Sequence, residues 1–161
     1  MSLHFVLDGY NIIKRNPSWQ TQPLIQARQT LLESIVRERL CGSPRNKVTI
    51  VFDSRNTTPE KQVIGGIRMI FADRSYADEQ ILRLLEEAPN PKEMVVVTDD
   101  RELSCRARHR NARVIAVKEF IKPKTGSSRN RDKEDKFLAK TIEGVVASRI
   151  TDELRRVWLK R

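Results

Sequence analysis

The chain reads as an α/β protein with a mostly parallel central sheet and a C-terminal helical extension. Three observations predict this. Short β-rich runs alternate with stretches of helical periodicity, the pattern of βαβ units. Several of those runs end on aspartate. A length of 161 residues suits one domain with a single substantial core.

LHFVLD (3–8) is the first strand. Thr21-Gln22-Pro23 opens a helix, because proline suits a first turn, and Leu24, Ile25, Leu31, Leu32, Ile35, Val36 and Leu40 recur at helical spacing. Gly42 and Pro44 end it. KVTIVFD (47–53) is the second strand, followed by the polar loop SRNTTPEKQ. IGGIRMIFAD (64–73) reads as the third, with Gly65 and Gly66 making its start irregular. A helix is expected from about Tyr76 to Ala88, with Ile81, Leu82, Leu84 and Leu85 inward and Pro89 and Pro91 bracketing its end.

EMVVVTDD (93–100) is the fourth strand, an apolar run of the kind buried on both faces. RELSCRARHRN is a short basic helix and RVIAV (113–117) a fifth strand. The segment 121–135 has no apolar periodicity and is rich in charge, Gly and Ser, so a mobile basic linker is expected. Residues 136–161 are expected to hold a helix, with Phe137, Ile142, Val146, Ile150 and Leu154 on one side. The expected organisation is therefore a domain over 1–120, the linker, and the helix.

Charge and composition narrow the partner. Lys and Arg number 31 against 21 Asp and Glu, a formal net charge of +10, which favours a polyanion such as nucleic acid. Cys41 and Cys105 are far apart and form no CxxC unit, so neither a zinc site nor a disulfide framework is available. Both are expected to be reduced and partly buried. No signal-peptide run opens the chain and no segment approaches the ~20 apolar residues that span a bilayer, so a cytoplasmic location is expected.

The chemistry lies at the strand ends. Asp8, Asp53, Asp73 and the pair Asp99-Asp100 close the first four strands, and Asp78 with Glu79 opens the helix after the third. In an open parallel sheet, ligands bind beyond the carboxyl ends of the strands, near the point where strand order reverses. Crowded carboxylates repel one another, and a hard divalent cation such as Mg²⁺ or Mn²⁺ relieves this. Such an ion assists phosphodiester hydrolysis without a histidine or serine nucleophile, and the chain has only His4 and His109 and no GxSxG or HExxH.

Each acid also has a plain structural reading. Asp53 and Asp73 suit turns, Asp78 suits the positive end of a helix, and Asp99 or Asp100 suits an N-cap. Gly9 after Asp8 permits a tight turn, from which Asn11 can point back to the rim and hold a phosphate, a water or Asp8 itself.

FVLDGYNII, VTIVFDS, GIRMIFA, YADEQILRLL and VVVTDDREL stand in the order and spacing of the NYN family, YacP-like branch, within the PIN-like nuclease group. The resemblance covers about residues 3–120, and DGYN is its most specific part. It implies a PIN-like three-layer sandwich that cleaves single-stranded RNA with Mg²⁺ or Mn²⁺, in mRNA decay or RNA processing near the ribosome. It also implies Asp8, Asp78 and Asp100 as catalytic metal ligands, with Asn11 and Asp53 as further catalytic residues. Asp99 stands where the family often has a small polar residue, and Glu79 where a second aspartate is common. The choice of RNA over DNA rests on the resemblance alone.

Arg55, Arg74, Arg101, Arg106 and Arg108 lie near the acidic rim and are candidate RNA contacts, as is Tyr10 by stacking. Tyr76 and Trp19 are further candidate stacking faces. A receiver-type phospho-acceptor would want an acid next to Asp8, where Gly9 stands. A haloacid-dehalogenase-like phosphatase would want a second aspartate at position 10, where Tyr10 stands. The remaining alternative is a catalytically inactive RNA-binding adaptor on the same fold.

Overall fold

The computed structural model describes residues 2–54, 60–73 and 77–122. A six-stranded sheet lies at its centre, in the order β3-β4-β2-β1-β5-β6. The strands are β1 (His4–Asp8), β2 (Lys47–Ser54), β3 (Glu60–Ile64), β4 (Ile67–Asp73), β5 (Met94–Val97) and β6 (Arg113–Ile115). The helices are α1 (Gly9–Arg15), α2 (Pro17–Gln20), α3 (Leu24–Arg37), α4 (Ala77–Glu86), α5 (Arg101–His109) and α6 (Val117–Ile121). All neighbouring strands pair in parallel except β3 with β4.

The two sheet faces follow from period-two alternation. Phe5 and Leu7 of β1, Ile50 and Phe52 of β2, and Val95 and Val97 of β5 face one core, closed by α1, α2, α3 and α6. Val6, Val51, Ile70 and Val96 face the other core, which α4 and α5 close with Ile81, Leu82, Leu85, Leu103 and Ala107. The result is the expected three-layer α/β/α sandwich, mostly parallel. Because α1 follows β1, and β2 and β5 flank β1 on opposite sides, strand order reverses between β1 and β5.

Four local expectations are corrected. Gly65 and Gly66 do not merely disturb a strand start: both have positive φ (56° and 80°) and form the turn of a β3–β4 hairpin. Two adjacent positive-φ residues make the turn that matches strand twist, so part of the expected polar loop is an edge strand. Gly9 opens α1 directly instead of making a tight turn. RVIAV is strand only to Ile115; Ala116 caps α6, whose Val117 and Phe120 are buried. Cys41 is buried whereas Cys105 is exposed.

Gly9 is required for a different reason than turn formation. A Cβ at this position would overlap the Phe52 ring and stand 3.0 Å from Ile50 Cγ2. The missing side chain lets α1 sit directly on β2. Phe52 in turn stacks on Phe71, with centroids 5.6 Å apart, and meets Tyr10 edge-on at 5.5 Å. Arg28 of α3, 2% exposed, places its guanidinium over all three rings and donates to the Tyr10 hydroxyl.

The expected linker and C-terminal helix lie outside the described residues from 123 onward, as do Arg55, Arg74 and Tyr76. No helix among the described residues is long and apolar enough to cross a membrane. Gly9→Ala should destabilise the fold by about 1–3 kcal/mol through overpacking against Phe52. Urea unfolding checks this; a loss below ~0.5 kcal/mol would mean that α1 does not rest on β2 as described.

Candidate active site

Asp8 and Asp53 share the sheet face covered by α4 and α5, since each is two residues beyond a member of that core, Val6 and Val51. Thr98, two beyond Val96, follows the same rule. α4 brings Asp78 to this rim in its first turn, and Asp100 caps α5. Four carboxylates from four elements thus converge at the carboxyl ends of β1, β2 and β5, where the strand order reverses.

Asp8 is half-buried at the end of β1. Its carboxyl is pushed up to about 6, first by burial and then by the charges of Asp78 and Asp100, while Thr98 and the Asn11 backbone N–H oppose the rise. The Thr98 hydroxyl donates to Asp8 Oδ2 at 3.1 Å and accepts from the Asp100 N–H at 3.1 Å, so one hydroxyl ties two of the acids together. Burial also raises the Asp78 carboxyl, followed by Asp100 and Glu102, with Arg106 opposing and Asp53 adding to the rise. Among the described residues, Asp53 Oδ1 is buried without a hydrogen-bond partner. No ion pair to Asp8 occurs among the described residues.

This donor set suits a hard divalent cation: carboxylate oxygens of graded exposure, one of them buried and unpartnered among the described residues, with mutual repulsion that a cation would remove. The oxygens are not gathered into a coordination shell, however. Among the described residues no group of three or more His, Cys, Asp or Glu stands close enough to hold a metal ion. Asp100 Oδ1 accepts from the Leu103 N–H at 2.8 Å, which is the helix-capping role also open to it from sequence.

Asn11 and Asp99 act together as a bracket. Asn11 Oδ1 accepts from the Asp99 N–H at 3.0 Å, so its side chain holds the β5–α5 turn and not Asp8. The Asp99 carboxylate accepts from the Val117 N–H at 2.9 Å and pairs with Arg15 at 3.3 Å. α1, the turn and α6 are thereby joined just behind the acidic rim.

The candidate RNA contacts divide. Arg101, Arg106 and Arg108 are exposed on α5. Tyr10 is half-buried against the core on the other side of the sheet from Asp8, in edge contact with Phe52 and with its hydroxyl on Arg28. Trp19 is buried, 8% exposed, and belongs to the same core.

Sequence reading missed Thr98, Asp99 as a strut, and Glu102 as an acid facing Asp78. Thr98 was accessible by alternation from Val96, and Glu102 by its place in the first turn after Asp100. The Asp99 bond to the Val117 N–H depends on α6, which starts at the residue where the sequence reading ended the fifth strand.

A mostly parallel three-layer sandwich with acidic residues at its switch point fits the NYN fold class. The chain belongs to the YacP-like NYN domain family, whose sequence model it matches over residues 5–160. The match runs past residue 120, so the C-terminal segment falls within the family's span. That family includes RNA-cleaving nucleases.

Two crystal structures of Rae1 (YacP) from Bacillus subtilis share the fold. The W164L mutant gives a TM-score of 0.60 at 20% identity, covering 95% of this chain and 89% of that one. The other gives 0.58 at 20% identity, covering 99% and 94%. No curated protein matches the chain.

The raised Asp8 carboxyl has a stability consequence. Its folded value of about 6 lies above the ordinary 3.8, so its contribution to stability is complete below about pH 4 and is lost as pH rises through 6. Asp8→Asn removes that loss and should stabilise the metal-free protein by roughly 1–3 kcal/mol at pH 7.5, with little gain at pH 4. Urea titrations in EDTA at both pH values measure it. An equal effect at the two would show that Asp8 ionisation is not strained.

Proposed function

We propose that this protein is a divalent-metal-dependent endoribonuclease that hydrolyses phosphodiester bonds in single-stranded RNA, in mRNA decay or RNA processing near the ribosome. The observation that carries the reading is the state of Asp8. A chain with a net charge of +10 leaves Asp8 beside two other acids, with no cationic partner among the described residues. The natural complement of such a carboxylate is a small, hard cation of high charge.

Asp8, Asp78 and Asp100 are the proposed ligands for Mg²⁺ or Mn²⁺, with Asp53 and its unpartnered oxygen at the edge of the set. When bound, a divalent cation polarises a phosphoryl oxygen and acidifies a water for in-line attack. The chain's own contribution is placement. Thr98 fixes Asp8 Oδ2 and the Asp100 backbone, and Asn11 fixes the turn through the Asp99 N–H. Arg106, near enough to Asp78 to lower its carboxyl, offsets repulsion between the rim and an incoming phosphate. Neither histidine supplies a base here: His4 begins β1, at the opposite end of the strand from Asp8, and His109 ends α5.

One observation favours a second reading, the inactive RNA-binding adaptor: the acids form no metal-holding group as they stand, and Asp100 spends an oxygen on its cap. Asp100→Asn separates the two. Asparagine caps a helix as well as aspartate, so α5 stays in place while one negative charge leaves the rim.

Wild type should cut an unstructured RNA with Mn²⁺ and stop in EDTA. Asp100→Asn should cut slower by roughly two orders of magnitude while binding that RNA at least as tightly at a fixed salt concentration. A gel cleavage assay beside a binding titration reads both. Equal cleavage by the two proteins would place the activity elsewhere. Tight binding without any cleavage by wild type would favour the adaptor.

A further inference from the structure

Helix α5 divides its side chains among three directions. At 100° per residue, Leu103 and Ala107 point into the core, Glu102 and Arg106 lie on a second flank, and Arg101, Ser104 and Arg108 form a stripe roughly 60° wide on a third. The second flank meets Asp78, since Glu102 and Arg106 are its charged neighbours. The third flank forms one wall of a separate cleft of about 280 Å³, with Thr98, Asp99 and Val114 among the residues that complete it. α5 is therefore a partition with the acidic rim on one side and this cleft on the other. Thr98 and the Asp99-Asp100 turn lie at its end, where the two meet.

The cleft is cationic despite Asp99. That carboxylate is already engaged by Arg15 at 3.3 Å and by the Val117 N–H at 2.9 Å, whereas Arg101 and Arg108 are exposed. Guanidinium groups are suited to phosphate oxygens by shape and by permanent charge. Arg101 and Arg108 stand two turns apart, about 10 Å along the helix, and their long side chains can reach phosphates along one strand.

We propose that this cleft is a backbone subsite for the RNA strand whose scissile phosphate lies at the acidic rim. The strand crosses the amino end of α5 at the Asp99-Asp100 turn, and its adjacent phosphodiesters are held by Arg101 and Arg108. The proposal rests on the reading of the protein as RNA-directed and adds the path the strand takes. Contacts of this kind hold register without reading sequence, so the cleft fixes where the chain lies and not which bases are cut.

The test is fluorescence anisotropy with a labelled unstructured RNA of about 12 nucleotides, in EDTA so that no cleavage occurs, across a salt series. Each phosphate contact on a single strand contributes about 0.7 to the slope of log affinity against log salt. Arg101→Ala and Arg108→Ala should each lower the slope by about 0.7, and together by about twice that. Arg101→Lys with Arg108→Lys should retain most of the slope, since the charge remains. Arg37→Ala, an exposed cation paired with Glu38 at the far end of α3, should leave the slope unchanged.

If wild type binds with a clear salt slope and the double alanine variant keeps it, the cleft is not on the strand's path, while the RNA reading stands. If Arg37→Ala lowers the slope as much as the cleft variants do, binding is diffuse and the subsite falls. If wild type does not bind RNA at all, the functional reading falls and the subsite with it.

Discussion

β1 runs in parallel register with both β2 and β5, His4 opposite Lys47 and Met94, and ends on a half-buried carboxylate. This position at the sheet's switch point controls the remaining arrangement. α1 starts immediately after Asp8, which brings it onto Phe52 and leaves no room for a Cβ at position 9 unless the ring shifts. Asn11, one turn further, then reaches the turn that carries Asp99 and Asp100. The Thr98 hydroxyl links that turn back to Asp8. A shift of β1 by one residue would turn Asp8 to the opposite face and break this circuit at every point.

The same arrangement sets stability against function. A carboxyl buried beside Asp78 and Asp100 is held near 6, so at neutral pH the fold carries repulsion that it could shed by losing one acid. The surrounding polar bonds do not neutralise this repulsion; they orient it. Thr98 donates to Asp8, and the Asn11–Asp99 bracket fixes the turn from outside the acidic face. Repulsion of this kind, held by well-paired neighbours, is what a cation bound at the proposed site would relieve.

Much of this was legible in the sequence because strand-end acids and period-two alternation are local signals. Apolar runs located the five strands of the parallel sheet, and their aspartate ends marked the rim, since chain order and a parallel sheet suffice to bring Asp8, Asp53 and Asp100 to one edge. What stayed hidden depended on tertiary contact. A Gly-Gly pair reads equally as an irregular strand start or a hairpin turn until β4 supplies a partner for β3. Tyr10 looks like a stacking face until Arg28 and Phe52 enclose it. Asp99 looks like a spare acid until α6 presents the Val117 N–H. Asn11 shows the same limit, because its neighbour along the chain is Asp8 but its side chain serves a turn 88 residues away.

The rim acids are proposed to form a cation site and not merely a set of turn and cap residues. Diffraction from crystals soaked in Mn²⁺, with anomalous data collected at neutral pH, tests it most directly. The account predicts one strong anomalous peak within ~2.0–2.3 Å of oxygens from Asp8, Asp78 and Asp100, with Asp53 at its edge. It also predicts that the Asp100 carboxylate reorients from its bond to the Leu103 N–H, or shares its second oxygen with the ion. A rim without a peak, with Asp100 still capping α5 as before and manganese bound elsewhere or not at all, would contradict it.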